Sequence, residues 1–159
     1  MWNYPKLVEY LDKNPKDKKA AEKYAAEIGA QYSKSAVKKL EVVFDNTFAN
    51  LYQDINLTSQ DNLDIKKLSE QSHLILCPNH QSYADFLSIS YAFYKKLSLP
   101  VYIAAGINLN VFPIGKIFRK GGAFFIRRSF KGLDLYKPVL EAYIYGLLKE
   151  QKVIKFYFE

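Results

Sequence analysis

The 159 residues, 49% apolar and 25% charged, suffice for one folded domain with a small helical annex, and 13 Tyr with 11 Phe exclude a disordered chain. A single cysteine, Cys77, excludes an internal disulfide framework, and with only His73 and His80 beside it a structural zinc site lacks soft ligands. The net charge of +7 asks for an anionic partner: a phosphorylated substrate, an acidic protein, nucleic acid or a lipid surface.

Residues 1–19 are rich in Lys, Asp and Pro and do not read as a signal peptide. Asn14-Pro15-Lys16-Asp17 predicts a helix start, with Asn14 as cap, Pro15 in the first turn and Asp17 against the dipole; Gly29 punctuates that helix. From Ala36 the apolar residues Val37, Leu40, Val43, Phe44, Phe48, Leu51, Tyr52 and Ile55 step by three and four. That spacing predicts one long amphipathic helix whose stripe packs on a core, while Lys34, Lys38 and Lys39 opposite it face water.

After a polar break at 56–62, residues 73–77 read as a short buried strand ending at Pro78, with Cys77 a small buried apolar residue and His73 structural. A helix is predicted over 83–96, strands over 101–104 and 123–126, a helix over 133–150 and a last strand over 152–158. The most apolar stretch, 97–118, carries Pro100, Asn108, Asn110, Pro113 and Lys116. A spanning helix needs about 20 predominantly apolar residues, so no transmembrane helix is predicted there. Strands alternating with helices predict an α/β fold: a largely parallel sheet with flanking helices, preceded by an amino-terminal helical segment. The expected division is a helical region over 1–70 and the sheet domain over 71–159.

Three nucleotide and hydrolase signatures are missing: no phosphate-loop Gly-x-x-x-x-Gly-Lys-Ser/Thr, no Gly-x-Gly-x-x-Gly after a strand, and no Gly-x-Ser-x-Gly elbow. One candidate centre is left, Pro78-Asn79-His80-Gln81-Ser82-Tyr83-Ala84-Asp85, immediately after the first strand. Imidazole, with a reference pKa of about 6.5, is suited to taking a proton near neutral pH. A carboxylate five residues on, across a loop-to-helix turn, can accept the Nδ1 proton, fix the tautomer and raise the basicity of Nε2. The plain alternative is a capping box, Ser82 to Asp85, in which Asp85 only caps the helix.

A second cluster is Arg119-Lys120-Gly121-Gly122-Ala123-Phe124-Phe125-Ile126-Arg127-Arg128, with Lys131 beyond it. Guanidinium forks match phosphate oxygens bidentately, and paired glycines let backbone approach a ligand closely. The plain alternative is a buried strand with solvated basic ends.

Together these residues resemble the glycerolipid acyltransferases. The first motif of that family, His-x-x-x-x-Asp, stands here as His80 to Asp85, and the second resembles Gly122-Ala-Phe-Phe-Ile-Arg127-Arg128. Glu22-Lys-Tyr-Ala-Ala-Glu-Ile-Gly29, Ile103-Ala-Ala-Gly-Ile-Asn-Leu-Asn110 and Arg127-Arg-Ser-Phe-Lys-Gly132 are similar to the bacterial sn-glycerol-3-phosphate 1-acyltransferases in particular. The third motif, Phe-x-Glu-Gly-x-Arg-Ser-Arg, is met only as far as Phe156-Tyr157-Phe158-Glu159. The chain is therefore expected to be the amino-terminal part of a longer enzyme or a truncated relative. An apolar last strand, which would leave an open sheet edge, points the same way.

The resemblance implies transfer of a fatty acyl group from acyl-CoA or acyl-carrier protein to the 1-hydroxyl of glycerol 3-phosphate, the first step of phospholipid synthesis. It implies His80 as the base, Asp85 as its orienter, Arg128 and Arg127 on the substrate phosphate, Gly122 and Phe125 shaping the pocket, and Glu159 on the same floor. The thioester co-substrate is already activated, so no acyl-enzyme is required; no cofactor and no metal are expected. The expected location is the cytoplasmic face of the membrane, bound peripherally to an anionic surface. Dihydroxyacetone phosphate or lysophosphatidate are rival acceptors, and an inactive truncated membrane-surface protein is a rival of another class. Nucleic-acid binding is not expected, because the Phe and Tyr residues sit in apolar runs.

Overall fold

The computed structural model describes residues 1–51, 57–58, 63–79 and 83–157, with side chains for all of these except 47–51 and 83–87. A helix predicted nowhere above opens the chain: α1 (Pro5–Lys13) begins with proline in its first turn, where the missing N–H is not needed. Asn14 closes α1 instead of opening the next helix, its Nδ2 donating to the Tyr10 carbonyl at 3.0 Å. Residues Pro15–Asp17 then form a single 3-10 turn, and α2 (Lys18–Ile28) follows, ending at Gly29 as expected. The predicted long amphipathic helix is α3 (Lys34–Leu51), with Lys34, Lys38 and Lys39 exposed; the end of the predicted stripe, Tyr52 and Ile55, lies outside the described residues.

The remaining elements are α4 (Ile65–Gln71), β1 (Ile75–Leu76), α5 (Tyr83–Leu97), β2 (Val101–Gly106), α6 (Ile114–Lys120), β3 (Ala123–Ile126), α7 (Tyr136–Lys149) and β4 (Val153–Lys155). The four strands form one sheet in the order β1-β4-β2-β3, and every pairing is parallel. The fold class is therefore the expected α/β arrangement with a helical segment ahead of it. Two details differ. β1 is a two-residue edge strand with Ile75 49% exposed, and Cys77 is exposed, because an edge strand buries neither its outer flank nor the residue after it. β4, expected to leave an open edge, pairs with β1 on one side and β2 on the other.

Alternation along the strands builds two cores. Phe124 and Ile154 face α1, α2 and α7, where they meet Leu7, Ile28, Tyr136 and Val139 in one buried cluster. The amino-terminal helices thus share the core of the sheet domain. On the other face Val101, Ile103 and Val153 meet Phe93 of α5, and Ala105, Ala123 and Phe125 meet Phe118 of α6. Each large side chain so removed from water contributes about 1.5–3 kcal/mol.

Gly122 sets the start of β3. Its φ is +104°, and a Cβ there would stand 2.7 Å from the Val101 carbonyl oxygen. That close approach brings the Gly122 carbonyl to the Ile103 N–H at 3.1 Å and fixes the β2–β3 register. Gly122→Ala is expected to destabilise the fold by about 2–3 kcal/mol through backbone strain and the clash. A chemical-denaturation midpoint equal to that of the unaltered chain would contradict this.

Candidate active site

Because all four strands run parallel, their carboxyl ends lie along one edge of the sheet, the usual place for ligand sites in this architecture. The chain leaving β1 runs through Cys77, Pro78 and Asn79 toward His80. His80 itself, with residues 81 and 82, lies outside the described residues. Asp85 falls in the first turn of α5, the helix that starts at this edge, and its side chain is not described. The chain leaving β4 continues toward Glu159, which also lies outside the described residues.

The chain leaving β3 supplies Arg127 and Arg128, and the two differ sharply. Arg127 forms a bidentate pair with Glu27 of α2, Nε to Oε1 and a terminal nitrogen to Oε2, both at 2.7 Å. Its guanidinium stands over the rings of Tyr24, at 5.2 Å, and Tyr136, at 5.3 Å. The hydrogen bonds it donates to Glu27 raise its pKa above the ordinary arginine value. Arg128 is exposed, and no hydrogen bond or ion pair engages it among the described residues. Between β1 and β3 lie three interstrand steps of about 4.8 Å, ~14 Å in all.

Gly122 precedes β3 at the amino end of the strand, five residues before Arg127, and Phe125 is wholly buried on the α6 face. The remaining cations of the cluster divide in the same way. Lys120 and Lys131 are exposed, whereas Arg119 is 7% exposed and donates to the carbonyls of Ala26, at 3.3 Å, Glu27 and Gly29. Burial lowers its pKa, as expected for a cation taken out of water, and the Phe125 ring lies 4.7 Å beneath it. Arg119 ties the end of α2, which carries Glu27, to the sheet domain.

Sequence reasoning passed over Lys155. It is wholly buried at the carboxyl end of β4, the strand between β1 and β2; its ammonium donates to Ser90 Oγ of α5 at 2.9 Å and lies 5.3 Å from the Tyr157 ring centre. A lysine inside an apolar run was the available signal, since a buried ammonium needs a specific partner. Also unforeseen is an apolar cavity of about 310 Å³ on the α5 face, walled by Leu40 and Phe44 of α3, Tyr94 of α5, Ile103 of β2, and Ile117 and Phe118 of α6. That volume is at the lower end of the ~300–1,000 Å³ typical of ligand pockets.

The division between the two arginines has a measurable consequence. Arg128→Ala is expected to raise KM for a phosphate-bearing substrate about tenfold to a hundredfold, the worth of one charged hydrogen-bond donor, with an unchanged melting temperature. Arg127→Ala lowers the melting temperature, and so, to a smaller extent, does Glu27→Gln. Equal effects of the two arginine variants on stability would contradict the division.

The class of domain is a parallel α/β sheet with basic side chains at its carboxyl edge and an apolar cavity against one face. The chain belongs to the Acyltransferase family, whose model matches residues 55–159. Over 146 residues it is 40% identical to a glycerol-3-phosphate acyltransferase of Haemophilus ducreyi, covering 91% of this chain and 18% of that protein. Over 145 residues it is 39% identical to a glycerol-3-phosphate acyltransferase of Actinobacillus pleuropneumoniae serotype 5b, covering 91% of this chain and 17% of that protein. The chain thus spans less than a fifth of the length of these curated relatives.

Proposed function

We propose that this chain serves in the transfer of a fatty acyl group from an acyl-CoA or acyl-carrier-protein thioester to the 1-hydroxyl of glycerol 3-phosphate. The observation that carries the reading is the 39–40% identity to glycerol-3-phosphate acyltransferases over 91% of the chain, which includes His80 to Asp85 and the segment ending in Arg127-Arg128. A neutral alcohol is a weak nucleophile, so His80 Nε2 takes the hydroxyl proton as the oxygen attacks the thioester carbonyl. The C–O bond forms, the C–S bond breaks, and the imidazolium returns the proton to the departing thiolate. Asp85 orients the imidazole and stabilises its charged form.

Arg128 holds the phosphate, and Arg127, fixed by Glu27, frames it from the α2 side. The buried Lys155 ammonium belongs to this edge, Glu159 is proposed as part of the same floor, and the apolar cavity is proposed to receive the acyl chain. An anionic membrane surface, on the cytoplasmic face, is proposed as the partner that takes up the lipid product. Among the described residues no helix is long and apolar enough to cross a membrane.

The test uses the protein as encoded, with whatever follows Glu159. Acyl transfer from each thioester is measured to glycerol 3-phosphate, dihydroxyacetone phosphate and lysophosphatidate. The reading stands if glycerol 3-phosphate gives the highest kcat/KM. A preference for either rival acceptor replaces it within acyl transfer, and absence of transfer to all three ends it.

A further inference from the structure

The segment between β2 and α6 and the first turn of α6 expose large apolar side chains in close succession: Val111 59%, Phe112 79%, Ile114 50% and Ile117 44%. An apolar patch of this kind on a folded domain marks a contact site. The backbone holds it out: the Gly115 N–H donates to the Val111 carbonyl at 2.6 Å and the Lys116 N–H to the Pro113 carbonyl at 3.2 Å. Gly115 packs so tightly on this turn that a Cβ there would lie 2.8 Å from Asn110 backbone atoms.

Two further observations say what covers the patch. Its charge is complementary to an anionic surface: the Lys116 ammonium stands 5.0 Å over the Phe112 ring, and Lys120 is exposed one turn on. The register pairing Gly106 with Ile126 puts exposed Arg128 and Lys131 at the same sheet edge as the chain leaving β2. Secondly, Ile114 and Ile117 also line the apolar cavity, so the patch and the cavity are continuous. Apolar side chains flanked by cations suit the boundary between headgroups and acyl chains of an anionic bilayer.

We infer that residues 111–117 are the edge by which this protein seats on an anionic lipid surface, with the cavity opening toward the bilayer. The inference rests on the reading of such a surface as partner and names where it is met. An acyl chain then passes between cavity and bilayer without crossing water, and the basic edge of the sheet faces the headgroups.

The protein as encoded is tested by flotation with vesicles of phosphatidylcholine, with and without phosphatidylglycerol. The double variant Phe112→Glu/Ile114→Glu is expected to lower the partition coefficient about a hundredfold, since two side chains lose their transfer into the interface. Lys116→Glu/Lys120→Glu is expected to lower it about tenfold, and only on phosphatidylglycerol-containing vesicles. Val42→Glu, at a 60% exposed position on α3, serves as the control and leaves partitioning unchanged. The indole introduced by Phe112→Trp should shift its emission to the blue only when vesicles are added.

Failure of the unaltered protein to float removes the membrane partner itself. Flotation of the double variant equal to that of the unaltered protein overturns this surface while leaving the membrane reading intact. If the emission of the Phe112→Trp variant is already blue-shifted without lipid, the patch belongs to a protein contact, a second copy or a later segment of the chain, and the inference is likewise overturned.

Discussion

Replacing His80 by alanine in the protein as encoded lowers kcat for acyl transfer by about two to four decades and leaves the circular dichroism spectrum and melting temperature unchanged. The size follows from the chemistry. In the proposed mechanism the attacking hydroxyl needs a base at neutral pH, and in the chain position 80 comes four residues after the end of β1. Asp85→Asn keeps the imidazole but weakens its orientation, so it gives a smaller loss of kcat than His80→Ala. Turnover retained by His80→Ala would refute the base assignment, whatever the acceptor proves to be.

Arg119→Ala lowers the stability of the chain by about 3 kcal/mol, the second large effect. Its guanidinium is buried and serves the carbonyls of Ala26, Glu27 and Gly29, which as the end of α2 have no intrahelical partners. Alanine leaves those oxygens short of donors and leaves a void over the Phe125 ring, and each of these costs on the order of 1–3 kcal/mol. Arg119→Lys restores only part, because one ammonium on a flexible stem cannot imitate the planar fork. The effect reaches the site indirectly: loosening the end of α2 loosens Glu27 and with it the clamp on Arg127. The check is a chemical-denaturation midpoint with unchanged slope; a midpoint equal to that of the unaltered chain would show that these bonds contribute nothing net.

These two arginines, Arg119 and Arg127, mark where reading the chain stops short. In the linear order Arg119, Lys120, Arg127, Arg128 and Lys131 form one basic cluster, a single candidate for holding phosphate. Folding sorts them by which carbonyl or carboxylate the neighbouring helix brings up, and those partners come from residues 26–29, some 90–100 positions earlier in the chain. No spacing rule reaches that far. The same limit explains Lys155, whose partner Ser90 sits 65 positions away, and the cavity, whose walls come from α3, α5, β2, α6 and β3.

Short elements were missed for a different reason. α6 has seven residues, too few for its apolar Ile114, Ile117 and Phe118 to stand out against the prolines and amides around them, and α4 is equally short. The apolar run of β1 predicts a buried strand, yet apolar content does not say whether a strand lies inside a sheet or at its edge.

Local pattern was enough for the alternation of helices and strands, the parallel α/β class, the long stripe of α3 and the pairing in sequence of His80 with Asp85, because each is written within a few residues as a period, a turn or a motif. Strand order, the interior place of β4, the division of labour between Arg127 and Arg128, and the joining of an exposed apolar edge to a cavity were decided in three dimensions. Burial and partnership are properties of residues that meet in space, and a charged side chain acquires its role only from the groups that folding sets against it.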